Sequence, residues 1–184
     1  MSRRDEAVAL TLAVSARDHA RGPATAPVTL VEYGDYECPH CGRAYPIVKQ
    51  IQKRMGAQLR FVFRNFPLQE IHPHAEHAAE AAEAAGAQGK FWEMHDRLFE
   101  RQFALEDENL AEYATQLGLD AKRLSADLVA RSFQPRVRED FRSGVTSGVN
   151  GTPTFFINDA RYDGAWDVAP LLAALERAAK RHEP

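Results

Sequence analysis

The chain has 184 residues, of which 45% are hydrophobic and 27% are charged, a composition that fits one globular domain and excludes a disordered or collagen-like chain. Its 23 Lys and Arg residues against 26 Asp and Glu residues give a formal net charge of −3 at pH 7. Because no cationic excess is present to attract phosphates, we expect no nucleic-acid partner.

The apolar stretches are too short to cross a bilayer. The longest, such as 7–14 and 168–175, are far shorter than the ~20 residues that a membrane helix needs, so we expect no membrane span. Residues 1–6 place two acids directly before the first apolar run, which is untypical of a secretory leader. We therefore predict a cytoplasmic location for the chain as given, and a periplasmic or exported one if a leader was removed.

Strand and helix patterns alternate in the first third of the chain. Residues 10–14 alternate apolar with small or polar side chains, which predicts a half-buried edge strand. Residues 28–33 predict a buried strand that contains one acid, Glu32. Apolar residues then recur at helical spacing over 39–56, and residues 59–63 alternate like a second strand. Two strands joined by a helix predict a parallel βαβ unit.

The middle of the chain is almost entirely helical in pattern. Gly118 and Asp120 predict the stop of one helix and the N-cap of the next. Apolar residues at helical spacing predict helical segments at 75–85, 91–99, 110–117, 124–128 and 137–145.

The chain is predicted to end in a hairpin and a helix. Residues 154–157 and 160–162 flank a turn at Asn158 and Asp159, which predicts a β-hairpin. Residues 168–175 carry apolar side chains on one helical face and predict the last helix.

The chemistry is concentrated in the motif Cys38-Pro39-His40-Cys41, which holds the only two cysteines of the chain. Between a strand and the helix of a βαβ unit, this motif is typical of a redox-active dithiol. At a helix start, residues three positions apart share a face, so their sulfurs can form a disulfide without moving the backbone. Cys38, at the helix N-terminus, is the expected nucleophile, and Cys41, one turn further, is the expected resolving thiol.

Pro39 and His40 are expected to help lower the pKa of the Cys38 thiol. A free thiol, whose pKa is ~8.5, is mostly protonated at neutral pH, and a helix terminus alone gives only ~0.3 to 2 kcal/mol of thiolate stabilisation. His40 can add a positive or donor group, while Pro39 fixes φ and removes a competing N–H. A lower pKa of Cys38 stabilises the reduced form and makes the pair more oxidising.

The cysteines and nearby histidines also fit other interpretations. The cysteines fit two buried structural thiols, or part of a zinc site completed by His40 or by the group His72, His74 and His77. The three histidines of that group fit a solvated helix start better than a metal site.

Two acids precede the first cysteine closely. Asp35 and Glu37 fit solvated loop acids, which would oppose thiolate formation if they lay near the sulfur.

Three motifs resemble those of the DsbA-like thiol-disulfide oxidoreductases of the thioredoxin superfamily. They are residues 26–33 leading into Cys38, residues 89–96 and residues 151–155, and they come in the order of that family. The dipeptide between the cysteines is the one found in strongly oxidising DsbA-type enzymes. The resemblance covers nearly the whole chain from about residue 10.

The resemblance implies an α/β, thioredoxin-like fold, with a central mixed β-sheet and a large inserted helical subdomain. It also implies domain bounds. Residues 1–184 form a single DsbA-like domain, in which 10–66 and 150–181 are the thioredoxin-like part and 71–148 are the helical insertion.

The resemblance implies roles for three further residues. Pro153 takes the place of the family's cis-proline, and Thr152 offers backbone groups to an extended substrate peptide. Glu32 matches the buried acid near the resolving cysteine, where desolvation should raise its pKa and suit it to proton transfer with Cys41. From the residues alone, Glu32 also fits a solvated acid on an edge strand, and Pro153 fits an ordinary trans turn proline.

These features predict a protein thiol-disulfide oxidoreductase that exchanges disulfides with protein or peptide substrates, with oxidation favoured. Its redox-active group is the Cys38–Cys41 disulfide, with no soluble cofactor and no metal, and an unidentified redox partner recycles the dithiol. The alternatives are a peptide- or metal-binding module of the same fold without turnover, and a glutathione-dependent small-molecule enzyme of that fold.

Overall fold

The computed structural model describes residues 8–181. Residues 1–6, on which the leader prediction rests, lie outside the described residues. Within 8–181 the chain forms one five-stranded sheet and seven α-helices. Their bounds, in chain order, are β1 His19–Arg21, β2 Val28–Gly34, α1 Pro39–Met55, β3 Leu59–Asn65, α2 Ala75–Gly86, α3 Phe91–Glu100, α4 Asp107–Gln116, α5 Ala121–Val129, α6 Gln134–Thr146, β4 Thr154–Ile157, β5 Ala160–Tyr162 and α7 Val168–Lys180.

The sheet is mixed, in the order β1-β3-β2-β4-β5. β2 pairs in parallel with β3 and antiparallel with β4, so the predicted βαβ unit and the mixed thioredoxin-like sheet are both confirmed. Glu32 therefore lies on the central strand, opposite Phe63 on one side and Phe155 on the other. This position rules out the solvated edge strand as its setting.

Helices cover both faces of the sheet. On one face, Val28 and Leu30 belong to the core that includes the buried side of α1 and α7. On the other face, Val31 and Tyr33 belong to a second core that Phe141 of α6 packs against. Because side chains alternate along a strand, Glu32 shares the face of Leu30 and is directed toward the α1 side.

The predicted helical middle of the chain is confirmed, because α2 to α6 all lie between β3 and β4. Asp120 caps α5 as expected, since its side chain accepts a hydrogen bond from the N–H of Arg123 at 2.9 Å. The turn between β4 and β5 has positive φ at both Asn158 and Asp159, the backbone that a tight hairpin requires.

The edge strand predicted at residues 10–14 is wrong. The segment makes one bridge to β5, between Ala9 and Ala160, and then turns toward the end of α6. There the N–H of Thr11 donates to Ser147 Oγ at 3.0 Å, just after α6. The carbonyls of Leu12 and Ala13 accept from the Arg64 side chain, so after residue 10 these backbone bonds go to side chains and not to a strand ladder. The sheet edge beyond β3 is instead formed by β1, which is only three residues long and carries too few positions for an alternating pattern.

No helix in residues 8–181 is long and apolar enough to cross a membrane. The domain bounds at 66, 71, 148 and 150 stay a prediction.

Candidate active site

Cys38 is the residue that immediately precedes helix α1. Its backbone is extended, with φ −70° and ψ 121°, and Pro39 occupies the first turn of the helix. The Cys38 N–H donates to the carbonyl of Asp35 at 3.2 Å, and the Cys38 carbonyl accepts from the N–H of Gly42 at 3.0 Å. Cys38 thus lies at the helix N-terminus, where unsatisfied N–H groups point toward an anion.

Cys41 lies in the first turn of α1 and is fully buried. Its exposed fraction is 0%, against 3% for Cys38. Both cysteines are free thiols, and the N–H of Asp35 donates to Cys41 Sγ at 3.4 Å. The structure therefore brings the two predicted sulfurs together at one helix start.

The pKa of Cys38 is lowered to about 5, mainly because the Cys41 thiol donates a hydrogen bond to its sulfur. The side chain of Thr152 and the backbone N–H groups of His40 and Cys41 act in the same direction, while burial opposes them. A thiol with this pKa is almost fully ionised at pH 7.

Burial raises the pKa of Cys41 well above its ordinary value. The hydrogen bond that it donates to Cys38 and the negative charge of Glu32 add to this effect, and the N–H of Asp35 opposes it. The two sulfurs therefore differ in protonation, with an anion at Cys38 and a thiol at Cys41.

Glu32 is 3% exposed, and its pKa is raised to about 8, chiefly by burial and then by the charge of Cys38. Within residues 8–181, its Oε1 has no hydrogen-bond partner. A carboxyl in this setting holds its proton near neutral pH and can exchange it with a neighbouring sulfur.

His40 and Pro39 are exposed on the helix start. His40 Nδ1 lies 3.2 Å from Nη2 of Arg43, and because a guanidinium only donates, Nδ1 is the acceptor. The contribution of His40 to the thiolate therefore comes through its backbone N–H.

Thr152, which precedes Pro153, lies opposite the first cysteine. The peptide bond between them is cis. Cys38 Sγ donates to the carbonyl of Thr152 at 3.4 Å in the thiol form. The hydroxyl of Thr152 is buried without a hydrogen-bond partner among residues 8–181, so it is available to donate to the sulfur once Cys38 is an anion.

Asp35 is not the solvated loop acid that the sequence suggested. It is 1% exposed, and its Oδ1 accepts from the N–H of Glu37 at 2.7 Å and from that of Cys38 at 3.2 Å. Its Oδ2 accepts from the N–H of Leu68 at 2.8 Å and lies 2.8 Å from Nδ1 of His72. The bonds to the next backbone N–H groups form an Asx-type turn, a recognised signal that was available in the sequence.

The histidines considered as zinc ligands are engaged by carboxylates. His72 pairs with Asp35, as just described. His74 Nδ1 lies 3.0 Å from Glu37, and this hydrogen bond raises the pKa of His74. His77 Nδ1 lies 2.7 Å from a carboxylate oxygen of Asp107, and in the described part of the chain no three His, Cys, Asp or Glu side chains are grouped to hold a metal ion.

Gln102 is a site residue that the sequence did not indicate. Its Nε2 donates to the carbonyl of Cys38 at 2.7 Å, so the segment after α3 contacts the residue that precedes α1. No local pattern marks this residue, because the contact joins positions 64 residues apart.

The site geometry agrees with the comparisons against known proteins. The thioredoxin family profile matches residues 15–177. The chain belongs to the thioredoxin family. Its resemblance to the DsbA-like members of the superfamily is also confirmed at the level of fold, because the structure matches alpha-DsbA1 of Wolbachia pipientis with a TM-score of 0.79 at 17% identity, over 93% of this chain and 95% of that one.

Two solved structures are more similar in sequence. A thioredoxin-like oxidoreductase of Silicibacter pomeroyi is 30% identical, with a TM-score of 0.79 over 90% of this chain and 94% of that one. Oxidised BdbD of Bacillus subtilis is 26% identical, with a TM-score of 0.81 over 89% of this chain and 94% of that one.

The curated relatives of this thioredoxin-family chain are longer proteins. The Na(+)/H(+) antiporter NhaA 1 of Salinispora arenicola is 48% identical over 162 residues, which are 88% of this chain and 25% of the antiporter. The chain thus spans about a quarter of the length of the curated relatives that it matches.

Proposed function

We propose that the chain is a thiol-disulfide oxidoreductase that acts on protein or peptide thiols through Cys38 and Cys41, with substrate oxidation favoured. The observation that carries the proposal is the unequal protonation of the two sulfurs. The pKa of Cys38 is lowered to about 5, whereas that of Cys41 is raised. Stabilising the thiolate stabilises the reduced pair, and each 1.4 kcal/mol raises its reduction potential by roughly 30 mV.

The oxidising reaction runs in two exchanges. A substrate thiolate attacks Cys38 Sγ of the disulfide; the new sulfur–sulfur bond forms as the Cys38–Cys41 bond breaks, and its electron pair leaves on Cys41. The substrate's second thiolate then attacks the substrate sulfur of the mixed disulfide, and Cys38 leaves as a thiolate. The substrate's two cysteines are thereby oxidised and the protein's pair is reduced.

Glu32, Thr152 and Pro153 have supporting roles in this proposal. Glu32, protonated below a pKa of about 8, supplies the proton that the Cys41 thiolate takes up, because its charge is close enough to raise the pKa of that sulfur. The carbonyl of Thr152 faces Cys38, and Thr152 and Pro153 hold an extended substrate segment beside it. No cofactor other than the cysteine pair is required, and a redox partner restores the disulfide.

Ion transport, which the names of the long relatives specify, forms no part of this proposal. The match takes in only 25% of the Salinispora arenicola antiporter but 88% of this chain, so it includes most of the span that identifies the thioredoxin family.

The test uses a reduced peptide with two cysteines and the oxidised protein in equal amounts. Wild-type protein should convert the peptide to its disulfide, followed by mass spectrometry, while Cys38→Ser should convert none. Cys41→Ser is the matched control, because it keeps the nucleophile and should accumulate a mixed disulfide with an oxidised peptide. Retention of the full activity by Cys38→Ser would contradict the proposal. A wild-type protein that binds the peptide without oxidising it would indicate a binding module, and activity only with added glutathione would favour the glutathione-dependent alternative.

A further inference from the structure

Among residues 8–181, the backbone N–H that donates to the resolving sulfur is that of Asp35. Its N–H donates to Cys41 Sγ at 3.4 Å, and this contact acts against the raised pKa of that sulfur. In the first exchange step Cys41 is the leaving group, so negative charge develops on the atom that this N–H faces. A hydrogen-bond donor aimed at a developing anion lowers the barrier for its departure.

The side chain of Asp35 fixes the amide in that direction. Asp35 follows the end of β2 directly, and its Oδ1 accepts from the N–H of Cys38, which ties the residue to the start of α1. Its Oδ2 accepts from the N–H of Leu68, which ties it to the segment between β3 and α2. The Asp35 carboxylate therefore bonds both to the start of α1 and to the segment between β3 and α2.

His72 is the remaining donor to this carboxylate. Its Nδ1 lies 2.8 Å from Asp35 Oδ2, and its side chain is 16% exposed, while that of Asp35 is fully buried. A buried carboxylate that loses a donor is less well compensated and can move from its position. The contact therefore affects Cys41 through the geometry of Asp35, whose N–H faces the sulfur.

We propose that Asp35 assists the departure of Cys41 through its backbone N–H, and that His72 is a positioning residue that holds Asp35 in place for this step. The proposal rests on the proposed exchange function. The step is the attack of a thiolate on Cys38, in which the bond to Cys41 breaks and its electron pair passes to Cys41 Sγ under the Asp35 N–H.

The experiment measures the second-order rate at which glutathione opens the disulfide of the oxidised protein. His72→Asn places an amide near the position of Nδ1 and keeps the donor, whereas His72→Gln places it near Nε2 and removes the donor at Nδ1. A hydrogen bond to a carboxylate contributes more than one between neutral groups, so His72→Gln should be at least about fivefold slower and His72→Asn within about twofold of wild type. The matched control is His77→Gln, because His77 makes the same kind of pair with Asp107 and should leave the rate unchanged.

Equal rates for the two His72 variants, or a wild-type rate for His72→Gln, would overturn the proposal. A second measurement needs no variant: the amide proton resonance of Asp35 should move between the disulfide and dithiol forms of the wild-type protein, and an unmoved resonance contradicts it. If the wild-type disulfide is not opened at all, the proposed function fails and not this inference alone.

Discussion

At the scale of single residues, the site depends on the direction of one hydrogen bond. The buried Cys41 thiol donates to Cys38, which lowers the pKa of Cys38 and raises that of Cys41. Two identical side chains in one helical turn therefore become a thiolate and a proton-bearing thiol. The two pKa values differ because Cys38 lies at the helix start, whereas Cys41 lies in the first turn and is fully buried.

Glu32 gives the site a pH dependence with a definite sign. Burial raises its pKa from 4.5 to about 8, so the folded protein holds a proton that the unfolded chain has released. The free energy of unfolding should then fall as the pH rises from 4.5 to about 8, by up to about 1.4 kcal/mol per pH unit. Glu32→Gln should flatten this slope, because a glutamine has no proton to hold.

The measurement is urea unfolding of the oxidised protein from pH 5 to pH 8, since the disulfide form has no titrating thiols. Burial, the main cause of the raised pKa, acts in that form as well, while the smaller effect of the Cys38 charge does not. The matched control is Glu70→Gln, because Glu70 is an exposed loop acid. If the slope of Glu32→Gln equals that of wild type, the carboxyl is ionised in the fold and cannot supply a proton at neutral pH.

Local spacing in the sequence predicted the cysteine pair, and the family resemblance supplied Glu32, Thr152 and Pro153, but contacts of Asp35 and Gln102 with distant segments were missed. Cys38 and Cys41 were identifiable because three positions within a helix start fix their relation. Asp35 carried an Asx signal, but its burial depends on Leu68 and His72, which the fold brings from beyond β3. Gln102 carried no signal, because its contact with Cys38 exists only after α3 has packed.

At the scale of elements, α6 packs on the sheet through a glycine. A Cβ atom on Gly144 would lie 2.7 Å from ring carbons of Phe66 and 3.0 Å from a ring carbon of Tyr33. Both rings are buried and cannot move aside easily. Gly144→Ala should therefore destabilise the protein by about 1 to 3 kcal/mol, although alanine favours helices more than glycine does.

Urea unfolding at constant pH measures this effect. Val145→Ala is the matched control in the same helix, because Val145 is 53% exposed, and it should change the free energy of unfolding by less than about 0.5 kcal/mol. If Gly144→Ala is as stable as wild type, α6 does not approach the sheet as closely as described.

The helices were predicted better than the strands, for a physical reason. α2 to α6 each repeat apolar residues over several turns, and that pattern needs no partner to be recognised. Residues 10–14 alternate, but from residue 11 their backbone bonds go to side chains, while β1 has three residues and forms a strand only because β3 offers it an edge. Whether such a short segment forms a strand depends on pairing partners that are distant in the sequence.

At the scale of the whole molecule, the fold brings three distant segments to one sulfur. The start of α1 supplies the cysteines, the segment before β4 supplies Thr152, and the segment after α3 supplies Gln102. The thiolate is stabilised in the reduced, folded protein, and in the proposed function this preference for the reduced form drives oxidation of a substrate.

The rate at which iodoacetamide alkylates the reduced wild-type protein, measured from pH 3 to pH 10, tests this account most directly, because only a thiolate reacts. The account predicts a single rise in rate at Cys38 with a midpoint near pH 5. A midpoint near pH ~8.5, the value of an unperturbed cysteine, would contradict it.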